Sequence, residues 1–381
     1  MIRQFVIKLN KACNLRCPYC YYINDDTTNY GSRISLSNLL NFLSLYADYS
    51  SRNGFVGAVV FHGGEPLLMG KRYFTSVLQH ESIKNGRLLP ILQTNGVLLD
   101  DEWADLLCSA NVEVGISLDG PQATNDAGRP DVKGRSTYHK TISAIKRLQQ
   151  RNMDVGVLSV INPDFNGEDI FRHHVDLGVK NMDFLLPMHC WSTVDNSSYS
   201  QTSITKYLTE AFLAWYVNDD PSVKVRLFWT IVRRIAGTHE GYFPLGADRW
   251  NEFAVLEPDG MVSMLEELSE IDRHLGTSFY STGMNIYHNS LDEIETQIET
   301  FWSNISSKNR PTKCLSCDMN GICNSGNYAS RYNGLNFDNP GLHCETLYSI
   351  SDLANSLWMR NGLTPSPTTK RAEGEKYVFT T

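Results

Sequence analysis

The chain has 381 residues, 41% hydrophobic and 20% charged, with a formal net charge of -8 and a mean hydropathy of -0.30. That length is enough for two to three domains, while the acidic balance and the lack of a Lys/Arg-rich block speak against a nucleic-acid partner. No apolar run approaches the roughly 18 residues of a membrane-spanning helix, so no membrane partner is expected. Met1-Ile2-Arg3-Gln4 leads straight into an apolar run without a signal-peptide core. Nine cysteines without such a signal point to a reducing, cytoplasmic setting, where clustered thiols bind metal instead of pairing as disulfides.

In chain order, Phe5-Val6-Ile7-Lys8-Leu9 reads as a first strand. Strands follow at 57–62, 90–95, 113–118, 155–161 and 182–186, with helical patterns between them, such as 37–45 and 138–150. Near-continuous apolar strands alternating with helices predict a parallel sheet covered by helices. Six such strands fit a partial (β/α)6 TIM-like barrel, spanning 1–215. In barrels of this kind the chemistry collects at the C-terminal strand ends. A helical bridge is expected over 216–250, after apolar residues at helical spacing from Tyr207 to Tyr216. Residues 253–264 read as a hairpin turned at Pro258-Asp259-Gly260. They open a further region, 251–345, rich in loops. A C-terminal helix from about Leu347 to Met359 and a polar tail complete the chain over 346–381.

The distinctive residues follow the strand ends. Cys13-x3-Cys17-x2-Cys20 leaves the first strand, and Gly63-Gly64-Glu65-Pro66 leaves the second. Thr94-Asn95-Gly96 ends the third, and Ser117-Leu118-Asp119-Gly120-Pro121 the fourth. Three closely spaced thiolates suit a metal centre, yet a structural zinc site wants four. A four-iron, four-sulfur cube on three thiolates leaves one iron with an open position. A second group, Cys314-x2-Cys317-x5-Cys323 and then Cys344, supplies a closed set of four thiolates, which by count alone also allows zinc.

The Cys13–Cys20 spacing, with Tyr19 before the last cysteine, resembles the signature of the radical S-adenosylmethionine (SAM) superfamily. The resemblance implies that SAM chelates the open iron and that one electron from the cluster cleaves it to a 5′-deoxyadenosyl radical. It implies that Gly63, Gly64, Glu65 and Pro66 contact the methionine amino group. It also gives Ser117 and Arg129 a part in holding the methionyl carboxylate or ribose, with Arg135 as a competitor for Arg129. Asn95 and Gln93 would line the cavity. The C-terminal group resembles a SPASM-type iron–sulfur domain, the extension found in radical enzymes that modify ribosomally made peptides. Such domains usually hold two auxiliary clusters. Here Asn327 and Leu265 stand where cysteines are common, and no cysteine lies between Cys190 and Cys314. One auxiliary cluster on Cys314, Cys317, Cys323 and Cys344 is expected, giving two [4Fe-4S] clusters in all.

Thr282-Gly283-Met284-Asn285-Ile286, Ser290-Leu291-Asp292-Glu293-Ile294, Arg331-Tyr332 and Phe337-Asp338-Asn339-Pro340 are similar to a branch that makes three-residue cyclophanes. One departure is Ser330, where related chains often have His. The product implied is a bond from an aromatic ring carbon to a β-carbon of a precursor peptide, with flavodoxin or ferredoxin as electron donor. The alternatives on the same scaffold are formylglycine formation, thioether formation or epimerisation. From another class, a non-catalytic iron–sulfur electron carrier is disfavoured by the open three-cysteine site. Restoring aromaticity after crosslinking needs an electron acceptor and a base. The closed cluster suits the first, and Glu266, just after the hairpin, is the candidate for the second; Glu267 would face away if the strand continued. His189-Cys190-Trp191, Cys108 and the aromatic group Phe228-Trp229, Tyr242-Phe243 and Trp250 read more simply as core.

Overall fold

The computed structural model describes residues 1–23, 31–194, 200–238, 241–246, 251–305 and 310–363. Its first strand, β1 (Gln4–Lys8), pairs in parallel with β2 (Gly57–His62). The order continues in parallel through β3 (Leu88–Thr94), β4 (Glu113–Ser117) and β5 (Val155–Val160). Phe5, Ile7, Val59, Phe61, Leu92 and Ile116 are all fully buried, as expected of a parallel sheet with helices on its faces.

The helix Leu36–Arg52 shows how local signals and packing agree. Ser35 accepts a hydrogen bond from the Asn38 N–H at 3.2 Å and caps the helix start. Leu39, Phe42, Leu43 and Tyr46 then recur at helical spacing on the buried face. The Phe5 ring meets the edges of Phe42 and Tyr46 at 4.9 Å each, a geometry worth about 0.5–1.5 kcal/mol beyond area burial. β2 opens on Gly57 for a steric reason: a Cβ there would lie 2.6 Å from the Tyr46 ring.

The chain folds into two compact units. The first comprises Met1–Leu158, Trp250–Asp272 and Thr277–Ile305. The hairpin turned at Gly260 belongs to it. Its strand β8 (Phe253–Leu256) pairs in parallel with β1, and β9 (Met261–Ser263) pairs antiparallel with both β8 and β10 (Ser281–Asn285). The backbone hydrogen-bonding capacity of the β1 edge is thereby used, a long-range pairing that the hairpin's own pattern cannot announce. The second unit comprises Ser159–Arg249, Arg273–Gly276 and Ser306–Thr381. It holds β6 (Asn181–Leu185) in parallel with β7 (Lys224–Val225). The bridge resolves into helices Gln201–Asn218 and Arg226–Ile235 on either side of β7. Phe184, Phe212 and Phe228 are fully buried together there. Tyr242 is buried as well, giving both hydroxyl contacts to Asp183 at 2.8 Å. Phe228 and Tyr242 are core, while Trp250 and the tail beyond 363 lie outside the described residues. The C-terminal helix runs from Cys344 to Arg360. Among the described residues no helix is long and apolar enough to cross a membrane.

Candidate active site

The loop leaving β1 is clamped from two sides. Gly64 N–H donates to the Asn10 carbonyl and Glu65 N–H to the Ala12 carbonyl, both at 2.8 Å. A Cβ on Gly64 would sit 2.1 Å from the Ala12 oxygen, and one on Gly63, whose φ is +128°, would sit 2.6 Å from the Asn10 oxygen. The glycines therefore admit the backbone of the cysteine loop itself, a role the sequence reading assigned to a ligand. On the other side, Arg16 N–H donates to the Pro130 carbonyl at 2.9 Å, and Leu15 bridges to Asp131.

Glu65 is fully buried. One carboxylate oxygen accepts from Thr94 Oγ1 at 2.7 Å and from Leu67 N–H at 3.0 Å, and the other accepts from Asn95 N–H at 2.9 Å. Burial pushes this carboxyl up, and its three donors counteract the push. So much internal bonding makes Glu65 the strut joining the second and third strand ends, and leaves the neighbouring backbone carbonyls as the better match for an ammonium. Asn95 reaches back across the site. Its Nδ2 donates to Asn14 Oδ1 at 2.8 Å and approaches Cys13 Sγ at 3.8 Å.

Tyr19 and Arg129 converge on a residue the sequence reading had quoted without singling it out. Asp119 is buried, accepts the Tyr19 hydroxyl, and takes Arg129 Nε at 3.0 Å and Nη2 at 2.9 Å. The Arg129 guanidinium also lies 5.5 Å from the Tyr19 ring centroid. Arg135, by contrast, is exposed and pairs with Asp131. This removes it as a competitor for a buried role. Ser117 Oγ accepts from Gln93 Nε2 at 3.0 Å, and Gln93 lies over Gly115, where a Cβ would meet its Oε1 at 2.1 Å.

Glu266 is ion-paired. Lys8, fully buried on β1, contacts its carboxylate and donates to the Tyr21 hydroxyl at 2.8 Å. Tyr21 donates in turn to the second Glu266 oxygen at 2.7 Å. Lys8 Nζ also lies 3.2 Å from His62 Nδ1, which accepts Gly63 N–H at 2.7 Å. Burial opposes ionisation of Glu266, but Lys8 outweighs it and holds the carboxyl below its usual range. Burial pulls the neighbouring His62 from its ordinary 6.5 down to about 4, so it is neutral at pH 7. The strand does not continue past the hairpin: a helix begins at Glu267. The alternation argument that turned Glu267 away therefore does not apply. Sequence reading missed Lys8 and His62, because a Lys in a strand pattern gives no sign that both its faces will be covered.

The three N-terminal thiols lie near enough for their charges to act on one another. Burial, helped by the Glu65 carboxylate and the other two cysteines, pushes Cys13 up to about 12, and burial pushes Cys17 up to about 11. Thiolates in such surroundings need a strong local cation, which an iron cluster supplies. Among the described residues no three His, Cys, Asp or Glu side chains gather tightly enough for a single metal ion. In the second unit Cys314, Cys317, Cys323 and Cys344 line one cavity, and burial with the Cys344 charge pushes Cys323 up to about 11. Leu265 and Asn327, the departures from the two-cluster pattern, are otherwise occupied. Leu265 is core, and Asn327 Oδ1 accepts the Ser330 N–H at 3.2 Å.

This architecture, with a three-cysteine loop at the C-terminal end of a parallel sheet, is that of a radical SAM domain, and residues 7–177 match the Radical SAM superfamily. The chain therefore carries a radical SAM domain over residues 7–177, and that domain implies SAM and a [4Fe-4S] cluster. Among its relatives is the cysteine-type anaerobic sulfatase-maturating enzyme of Clostridium novyi, 26% identical over 360 residues, covering 89% of this chain and 91% of that one. The serine-type enzyme of Klebsiella aerogenes is 27% identical over 278 residues, covering 70% and 67%. In fold, the chain is similar to native anSMEcpe with bound AdoMet, with a TM-score of 0.81 at 22% identity over 94% of this chain and 98% of that one. Streptococcus suis SuiB bound to the precursor peptide SuiA is more distant, at 0.57 and 16% over 90% and 76%.

Proposed function

We propose that this enzyme oxidises a side-chain β-carbon of a peptide or protein substrate, in the manner of formylglycine formation. The observation that carries this reading is the near end-to-end match to a cysteine-type anaerobic sulfatase-maturating enzyme. When bound, SAM and the N-terminal cluster supply a 5′-deoxyadenosyl radical that removes one hydrogen atom. Cys13, Cys17 and Cys20 hold that cluster, and Asn95 orients the Cys13 end of the loop. Backbone carbonyls of Gly63, Gly64 and Pro66 receive the SAM ammonium, with Glu65 as their strut. Arg129, oriented by Asp119 over Tyr19, offers its remaining N–H groups to the carboxylate or ribose, together with Ser117.

Completing the oxidation takes one proton and one further electron from the substrate. Glu266 is the candidate proton acceptor, kept ionised by Lys8. Its lowered pKa makes it a weak base until a substrate displaces Lys8 or Tyr21. Cys314, Cys317, Cys323 and Cys344 would hold a second cluster, which would supply an acceptor for that electron.

A second product, the aromatic-ring-to-β-carbon crosslink, shares the same abstraction and the same two-electron balance. The cysteine complement favours it. Three cubane sites on three, four and four thiolates need more cysteines than the nine present, and Cys108 and Cys190 stand outside both groups. The departure from the two-auxiliary-cluster pattern leaves room for a different product.

One experiment separates the two. Incubate the reconstituted enzyme with SAM and a panel of peptides carrying Ser or Cys and an aromatic residue, then combine mass spectrometry with hydroxylamine trapping. A trapped aldehyde on a former Ser or Cys supports formylglycine. A loss of two hydrogens, with no aldehyde and no backbone fragments inside a three-residue window, supports the crosslink. An unchanged mass removes both.

A further inference from the structure

The cavity lined by the four C-terminal cysteines has two neighbours that the reaction, as described, leaves without a part. The first is Ser325, which lines the same cavity. It is 3% exposed, and its hydroxyl is buried without a hydrogen-bond partner. Its φ is +70°, a left-handed conformation that is strained for a residue other than glycine. The next residue, Gly326, repeats that conformation with φ +73°. A strained serine with an orphaned hydroxyl facing a thiol-lined cavity is expensive twice over, unless that hydroxyl finds an acceptor when the cavity is filled.

The second neighbour is Arg331, 5% exposed. Its Nε donates to the Ser325 carbonyl at 3.1 Å, and Nη2 donates to the carbonyls of Asn324 at 3.2 Å and Gly326 at 3.0 Å. The successive left-handed residues are what turn these carbonyls onto one guanidinium. Its cationic charge has no Asp or Glu ion-pair partner among the described residues. Burial pushes the guanidinium below its usual range, and the charges of Cys314, Tyr328 and Cys323 oppose that push. A buried cation needs an anion nearby, and a four-thiolate cluster is one.

We propose that Arg331 and Ser325 are tuning residues that raise the reduction potential of the auxiliary cluster, making it the acceptor of the substrate's second electron. The inference rests on the auxiliary-cluster reading above. A thiolate-ligated cluster gains one more negative charge on reduction. A buried cation and a hydroxyl donating to sulfur both favour that state. The step balances: the substrate radical loses one electron to the cluster and one proton to a base, and a one-electron carrier of the flavodoxin or ferredoxin class then reoxidises the cluster.

The test uses the full chain carrying Cys13→Ala, Cys17→Ala and Cys20→Ala, reconstituted anaerobically so that only the C-terminal cluster titrates. Ser325→Gly is expected to lower the reduction equilibrium constant about tenfold, about 59 mV for one electron. Thermal stability should hold or rise, because glycine relieves the positive φ. Arg331→Gln should shift the potential further in the same direction, while Arg331→Lys should stay near the parent. Unchanged midpoints in Ser325→Gly and Arg331→Gln, with the cluster retained, overturn the proposal. Iron and sulfide analysis guards the underlying reading. If the background chain takes up zinc or no four-iron cluster, the auxiliary-cluster reading itself fails, and this proposal with it.

Discussion

Around Cys13, Cys17 and Cys20 the charged side chains answer one another: Arg129 is held by Asp119, Lys8 by Glu266, and the Glu65 carboxylate by three neutral donors. Around Cys314, Cys317, Cys323 and Cys344, a buried guanidinium is answered by backbone carbonyls alone among its hydrogen bonds. The first region uses its charges to fix the geometry of the loop that carries the three cysteines. The second keeps a buried cation bonded to the carbonyls of Ser325 and Gly326, which line the thiol cavity, an arrangement that suits the electron-accepting role proposed for it. One polypeptide can give the same type of cofactor two roles by what surrounds the sulfurs.

The largest effect that can break this contrast comes from removing the first site. Cys13→Ala/Cys17→Ala/Cys20→Ala should abolish 5′-deoxyadenosine formation while retaining about half the reconstituted iron. Chromatography and iron analysis check this, and full loss of iron would make the two sites interdependent. Next, Gly64→Ala forces a Cβ against the Ala12 carbonyl. The cysteine loop must shift, so iron uptake at the first site should fall severalfold while the second site loads normally.

Lys8→Met should then cost about 3 kcal/mol in urea unfolding by leaving a carboxylate without its cation. A Lys8→Met/Glu266→Gln double variant should recover most of it. Additive losses would show that the pair is not coupled. Arg129→Met should weaken SAM binding about tenfold or more, one lost charge-assisted contact, and Arg135→Ala should leave it unchanged, as read by calorimetry on the reconstituted enzyme.

The smallest effect is on pH dependence. Burial pulls His62 from its ordinary 6.5 to about 4 and His174 to about 3. Between those values and 6.5 the unfolded chain binds more protons than the folded one, so stability rises with pH through that window and is lost on acidification. Glu266, held low by Lys8, adds a loss of the same sign at the acid end. His174→Asn should flatten the slope measured by thermal melts between pH 4 and 6.5, and an unchanged slope would place the proton uptake elsewhere.

Much of this was legible in advance. The six parallel strands fall within two residues of their expected positions, because alternating apolar runs and amphipathic helices carry their own periodicity. The two cysteine groups stand out in the sequence by their spacing, while the cofactor each would hold was implied by resemblance. Less readable was the hairpin at 253–264: its turn was evident, yet its partner was β1, some 250 residues away, and nothing local encodes a parallel pairing of that range. The helices Glu267–Leu275 and Leu291–Ile305 were not called, and the strand Ser281–Asn285 was read only as a motif. Short elements in a loop-rich stretch carry weak periodicity.

The sequence by itself pointed to the reaction class through its resemblance to radical SAM chains, because the motifs that carry it, Cys13-x3-Cys17-x2-Cys20 and Gly63-Gly64-Glu65-Pro66, are local in the chain. Tertiary structure alone decided what the charged residues do. Arg129 rather than Arg135 is buried, Glu65 is a strut, and Glu266 is paired to a lysine from the first strand. Arg331 lies near the second thiol group with three carbonyls for company. A side chain's charge is written in the sequence, but its energy depends on burial and on partners brought from far along the chain, and those exist only once the chain has folded.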